Sequence, residues 1–147
     1  MQRIQRKRSK GYKTPPSTLY AGRPSVYGNP FIVKKRGKVF DVIYTKKGEI
    51  IRTVSTHDTK LEAQRAAVEL YKKWFNPEIA EIGSELYKFR QEYDWRGFAF
   101  SSAICRLFIY ENASCWCKVG DPCHVDWIVE LINCELARRQ KIINYDF

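Results

Sequence analysis

The stretch Asn112 to Asp126, Asn-Ala-Ser-Cys-Trp-Cys-Lys-Val-Gly-Asp-Pro-Cys-His-Val-Asp, constrains this chain most, because it holds three of the five cysteines and one of the two histidines. Ala113 to Cys117 has the alternation of a short strand, Gly120-Asp-Pro122 is turn chemistry, and Val125 onward carries apolar residues at helical spacing. The stretch reads as strand, loop and helix, with Cys117 ending the strand and Cys123 or His124 opening the helix. A strand feeding a helix N-terminus gathers backbone N–H groups and partial positive charge at the strand's carboxyl end, a setting that favours anions and thiolates.

The 147 residues suit a single domain, 1–147, with a core of its own. No apolar run has the length of a membrane span, and the residues after Met1 are Gln-Arg-Ile-Gln-Arg-Lys-Arg, without the apolar core of a secretory signal. A soluble, cytoplasmic protein without a membrane partner is expected. Five cysteines in such a chain argue for free thiols or metal ligands over a disulfide framework. The net charge of +10 is polarised: residues 1–40 hold eleven Lys or Arg and no acid, while the remainder holds fifteen basic and sixteen acidic residues. Such a field attracts polyanions, nucleic acid before membrane, since no amphipathic helix accompanies it. The alternative is a solvated arm that only aids solubility.

Residues 1–17, ending in Thr14-Pro-Pro-Ser, read as a basic arm or extended lead-in. Thr18 to Ala21 is a short strand candidate. It runs into Gly22-Arg-Pro-Ser-Val-Tyr-Gly28-Asn-Pro30, which serves either as a plain turn or as a loop presenting amides and a guanidinium to an anion. Gly22, Arg23, Ser25 and Asn29 are its candidate ligand-binding residues. Phe31 to Val33 is extended, and Val39–Thr45 and Glu49–Val54 form a hairpin around Lys46-Lys-Gly48. Thr59-Lys-Leu-Glu62 has the form of a capping box, so a helix should cover about 60–75 with Leu61, Val68, Tyr71, Trp74 and Phe75 inward. Asn76-Pro77 starts a second helix to about Tyr93, and residues 97–111 lean to helix over strand. The last helix should present Ile128, Leu131, Ile132 and Leu136 to the core and end near Arg139, with Arg138, Arg139 and Lys141 close to its C-terminus.

Strands interleaved with helices imply an α/β fold, a small three-layer sandwich with a short, mostly parallel sheet, an inserted β-hairpin and a long C-terminal helix. Ligands in such folds bind beyond the strands' carboxyl ends. If the strand before Gly22 and the strand ending at Cys117 are parallel neighbours, Arg23, Cys117, Cys123 and His124 converge.

Three chemistries fit the cluster. Cys123 at the helix start can be biased towards thiolate, with His124 as base or proton donor, Asp126 orienting it or the substrate, and Cys115 and Cys117 alongside; this is the preferred reading, and it commits no metal. Alternatively Cys115, Cys117, Cys123 and His124 form a four-ligand zinc site, although the adjacent Cys-His pair departs from the usual two-knuckle spacing. In the third reading the cysteines are small buried hydrophobes, which suits Cys105 and Cys134 best. His57 belongs to a helix lead-in.

The segments Arg3–Tyr12, Leu19-Tyr-Ala-Gly-Arg-Pro-Ser-Val-Tyr-Gly-Asn-Pro-Phe31 and Cys115-Trp-Cys-Lys-Val-Gly-Asp-Pro-Cys-His-Val-Asp126 resemble family 4326 of the domains of unknown function, found in bacteria, phages and large DNA viruses. The resemblance spans both ends of the chain, while 38–54 and 94–111 look like insertions. It implies that the Gly-Arg-Pro loop, Asn29, Cys115, Cys117, Cys123, His124 and Asp126 share one site, and it assigns no activity. A fainter similarity links the strand-Cys-loop-Cys-His-helix arrangement to uncharacterised family 488, in which an Arg follows the Cys-His pair; Val125 stands there in this chain. The expected function is binding or modifying a nucleotide or nucleic-acid component at the Cys/His site. The rival is a non-catalytic nucleic-acid-binding or protein-interaction module with structural zinc. The cytoplasm would be a host's if the chain is phage or viral.

Overall fold

Two three-stranded sheets carry the fold over residues 1–75 and 106–145, the residues described by this computed structural model. In chain order the elements are β1 (Gln2–Gln5), β2 (Thr18–Tyr20), β3 (Phe31–Arg36), β4 (Val39–Lys46), β5 (Glu49–His57), α1 (Lys60–Phe75), β6 (Asn112–Cys115) and α2 (His124–Tyr145). The expected second helix and most of 97–111 lie outside the described residues, as does Cys105; at the near edge of that region Leu107 is fully buried.

The first sheet has the order β1-β6-β2 and is parallel throughout. β6 is its centre, which explains its small residues: Ala113 and Cys115 are buried, and Ser114, also buried, satisfies its hydroxyl by donating to the Leu19 carbonyl. The basic lead-in contributes a strand here, because Gln2 to Gln5 pair with Asn112 to Cys115.

The second sheet is an antiparallel meander, β3-β4-β5. The expected hairpin turns at Lys47 and Gly48, both with positive φ, the geometry that matches the twist of flanking strands. It is integral to the meander, since β4 also pairs with β3 and carries Val42 and Tyr44 into the core. Asp41 on β4 is buried and accepts hydrogen bonds from the Arg36 guanidinium and from Thr56 Oγ1 at 2.6 Å. The Arg36 bonds first, then that of Thr56, hold the carboxyl below its ordinary range. A carboxylate depressed in the folded state contributes stability that is present above its unfolded pKa and lost as pH falls through the folded one. The loss of urea resistance on acidification below about pH 4 should therefore be smaller in Asp41→Asn than in the parent. Equal losses would remove Asp41 from that role.

α1 begins with the expected capping box: Thr59 Oγ1 accepts from the Glu62 N–H, and Glu62 Oε2 accepts from the Thr59 N–H. Its buried face is Ala63, Ala67, Tyr71, Trp74 and Phe75, whereas Leu61, expected inside, is 46% exposed. On this face the Ala67 carbonyl accepts from Asn29 Nδ2 in the loop before β3. α2 buries Ile128 and Ile132, leaves Leu136 exposed, and continues to Tyr145, past the expected end at Arg139. No Gly or Pro follows Arg139 to stop it. Arg138 pairs with Glu135 one turn back. Cys134, expected buried, is exposed, because two residues beyond Ile132 lies on the opposite side of a helix. α1 packs on the meander, α2 packs on the parallel sheet, and the helices meet through Tyr71, Phe75 and Trp127. No helix among the described residues is long and apolar enough to cross a membrane.

Candidate thiol and imidazole site

The parallel pairing of β2 and β6 ends both strands at one rim, where each runs into its special loop. Gly22 and Arg23 follow β2, Trp116 and Cys117 follow β6, and Cys123 and His124 open α2. All six line one cleft of about 340 Å³, walled on its far side by Lys60, Gln64 and Ala67 of α1. The expected convergence of Arg23, Cys117, Cys123 and His124 is thus present.

β6 ends at Cys115, two residues earlier than expected, and Cys117 lies in the following loop. That loop turns at Gly120, whose φ of 94° a side-chain-bearing residue rarely adopts. The Sγ atoms of Cys115, Cys117 and Cys123 lie within 4.8 Å of one another, and the Cys115–Cys123 pair is 3.2 Å apart. Cys115 and Cys123 are buried, while Cys117 is solvent-accessible. Hydrogen bonds from the thiols of Cys115 and Cys123 hold Cys117 well below the ordinary thiol range. Hydrogen bonds within the same trio, with burial, push Cys123 well above it. The helix-start argument favours thiolate at Cys123, whereas the trio's own hydrogen bonds favour it at Cys117. Cys123 does precede the helix, but its sulfur is turned inward onto Cys115.

His124 is buried, and its Nε2 lies 2.7 Å from the carbonyl oxygen of Ala21. A carbonyl only accepts, so Nε2 carries the proton and Nδ1 holds the lone pair. Nδ1 stands 3.9 Å from Cys123 Sγ. The ring is also fixed by Tyr71, edge-on at 4.9 Å. Burial pushes the imidazolium pKa down, which favours the neutral ring.

Asp126 serves neither His124 nor the cleft. Its carboxylate, half-exposed, pairs with Arg3. Arg3 is the residue that sequence reading missed: from β1 its guanidinium donates to the carbonyls of Cys117, Lys118 and Asp121 as well as to Asp126. It thereby clamps the Cys117 loop against the start of α2. The basic segment around it reads as an arm that attracts polyanions or is simply solvated; the one available signal of a structural role is the alternation of Arg3 with Ile4.

The Gly-Arg-Pro loop divides its roles. Arg23 and Gly22 line the cleft. Asn29 also borders it, yet its side-chain amide is engaged internally, Nδ2 donating to the Ala67 carbonyl and Oδ1 accepting from the Phe31 N–H. Asn29 thus fastens the loop to α1. Ser25 does not line the cleft. Gly28 is required by packing, since a Cβ there would stand 2.9 Å from the backbone of Arg23. His57 bonds Ser55 at the end of β5, away from the site.

The fold and the site define a small α/β protein with a thiol-and-imidazole cluster at the carboxyl rim of a parallel sheet. The chain belongs to the family described as Domain of unknown function (DUF4326), whose profile matches residues 4–134. No curated protein and no solved structure matches it.

Proposed function

We propose that the chain binds a nucleotide or nucleic-acid component in the cleft, with the basic N-terminal residues holding phosphate and the bases meeting the aromatic rim. The observation that carries this reading is the arrangement at Trp116. This residue is 43% exposed, and the guanidiniums of Arg6 and Arg8 lie over its ring at 4.9 and 5.1 Å. Arg6 also lies over Tyr20 at 4.7 Å. Tyr20, Trp116, Arg23 and Lys60 all line the cleft, so two aromatic side chains and two cations share its wall. An exposed aromatic face offers stacking to any base, and adjacent cations follow the backbone. The competing reading, in which arginines merely shield a surface tryptophan, does not account for the cations on the cleft side. We read the protein as working in the cytoplasm, where its thiols stay reduced.

The test is titration of a fluorescent single-stranded oligonucleotide with the full chain at several salt concentrations. Deleting the N-terminal segment would confuse charge with folding, because it removes β1. Substitution of Arg6, Lys7 and Arg8 by Gln avoids this. Losing about three phosphate contacts should flatten the slope of log affinity against log salt by about 2. Trp116→Ala should weaken binding about 10-fold or more with little change in slope, the effect of one lost base stack. Binding that is insensitive to salt and to both changes would refute the proposal.

A further inference from the structure

We infer that Cys115, Cys117, Cys123 and Nδ1 of His124 form a zinc site that ties the end of β6 to the start of α2. The inference concerns the cluster itself and stands whatever the cleft binds.

Three observations point the same way. The first is the spacing of the sulfurs. In a tetrahedral site with zinc–sulfur bonds of about 2.3 Å, the sulfurs stand about 3.8 Å apart. The three Sγ atoms are close enough for such a site, one pair at 3.2 Å and all within 4.8 Å of one another. The second is Cys117. Burial as small hydrophobes would explain Cys115 and Cys123, but it gives no reason for a solvent-accessible loop cysteine to turn its sulfur onto theirs. A metal ion gives that reason. The third is the state of His124. Its Nε2–H is engaged by the Ala21 carbonyl, so the lone pair is on Nδ1, the nitrogen on the cysteine side. A ligating histidine usually has its other ring nitrogen held in this way, which fixes both tautomer and orientation.

The donor set selects the metal class. Three thiolates and an imidazole suit zinc and exclude hard oxygen-seeking cations such as magnesium and calcium. On binding, each thiol that is still protonated releases its proton to solvent as a zinc–sulfur bond forms, and the imidazole coordinates without proton loss. The resulting centre carries about one negative charge. Arg3, hydrogen-bonded to the Cys117 carbonyl, and the helix N-terminus both lie where they offset it. With four protein ligands the site is closed, so the cysteines anchor the rim and do not act as nucleophiles. The adjacency of Cys123 and His124 is no obstacle: the Cys123 sulfur points to Cys115, and the imidazole reaches the same sulfur from the first turn of the helix.

The experiment uses the full chain, purified under reducing conditions and free of nucleic acid, so its outcome is independent of the cleft's ligand. Metal analysis after zinc loading and removal of excess should give about one zinc per chain. Cobalt loading should give the strong visible absorption of tetrahedral thiolate coordination, a readout that needs no variant to fold. Cys117→Ala should abolish both signals, and Cys134→Ala should leave both unchanged. Less than about a tenth of a zinc per chain with no cobalt band would overturn the assignment. So would full metal content in Cys117→Ala.

Discussion

Tyr71→Ala is expected to cost about 3–5 kcal/mol, the range for removing a fully buried aromatic side chain. Tyr71 has no exposed surface, and its ring meets Trp74, Phe75, His124 and Trp127. Its hydroxyl donates to the Tyr27 carbonyl at 2.8 Å, in the loop that carries Arg23. One side chain thus joins α1, α2 and the Gly-Arg-Pro loop. Since small domains have only about 5–15 kcal/mol in total, the variant should be largely unfolded at modest urea concentration. Tyr71→Phe separates the two contributions. It keeps the packing and leaves the Tyr27 carbonyl without this donor, at a cost of about 1–2 kcal/mol. Urea denaturation followed by tryptophan fluorescence measures both. If Tyr71→Ala lies within about 1 kcal/mol of the parent, the three elements do not meet at this ring.

Deleting Gln2–Gln5 should have a comparable effect, by a different route. The deletion leaves β6 and β2 as a two-stranded pair, and two strands alone are marginal. It also removes Arg3, whose guanidinium holds the Cys117 loop through three backbone carbonyls and Asp126. In metal-free, reduced protein, alkylation of Cys115 and Cys123 should be slow in the parent and fast in the deletion variant. Arg3→Gln should keep the sheet and release the loop. It should speed labelling of Cys117 more than that of the buried pair, and cost about 2 kcal/mol for the lost charge-assisted bonds. Unchanged protection of Cys115 and Cys123 after the deletion would show that β1 is not part of the sheet.

Asn29, Asp126 and Ser25 stand in the special segments of the sequence as candidate site residues. In the structure Asn29 fastens a loop to α1, Asp126 holds Arg3, and Ser25 lies off the cleft. A motif read along the chain says which residues are close in sequence, but not which way each side chain points. The same holds for Cys123: helix-start chemistry acts fully on its thiol only if the sulfur faces solvent, and in the structure it lies against Cys115.

What the sequence determined by itself was local. Thr59 and Glu62 cap α1 through bonds three residues apart, Lys47-Gly48 turns the β4–β5 hairpin through its own backbone geometry, and Gly120-Asp-Pro122 separates strand from helix within a dozen residues. These interactions close over short loops, so the residues that make them are neighbours on the page as well as in space. The strand-loop-helix order of the Cys/His segment was legible for the same reason. Only the tertiary structure decided that Gln2–Gln5 would pair with Asn112–Cys115, more than a hundred residues away, and so bring Arg3 under the Cys117 loop. It also set the His124 tautomer through Ala21, just past the end of β2. Parallel pairing leaves no turn signal between its partners, because the strands it joins are separated by whole elements of chain. The short alternations of β1, β2 and β6 fit many registers until the helices and the meander bury one of them.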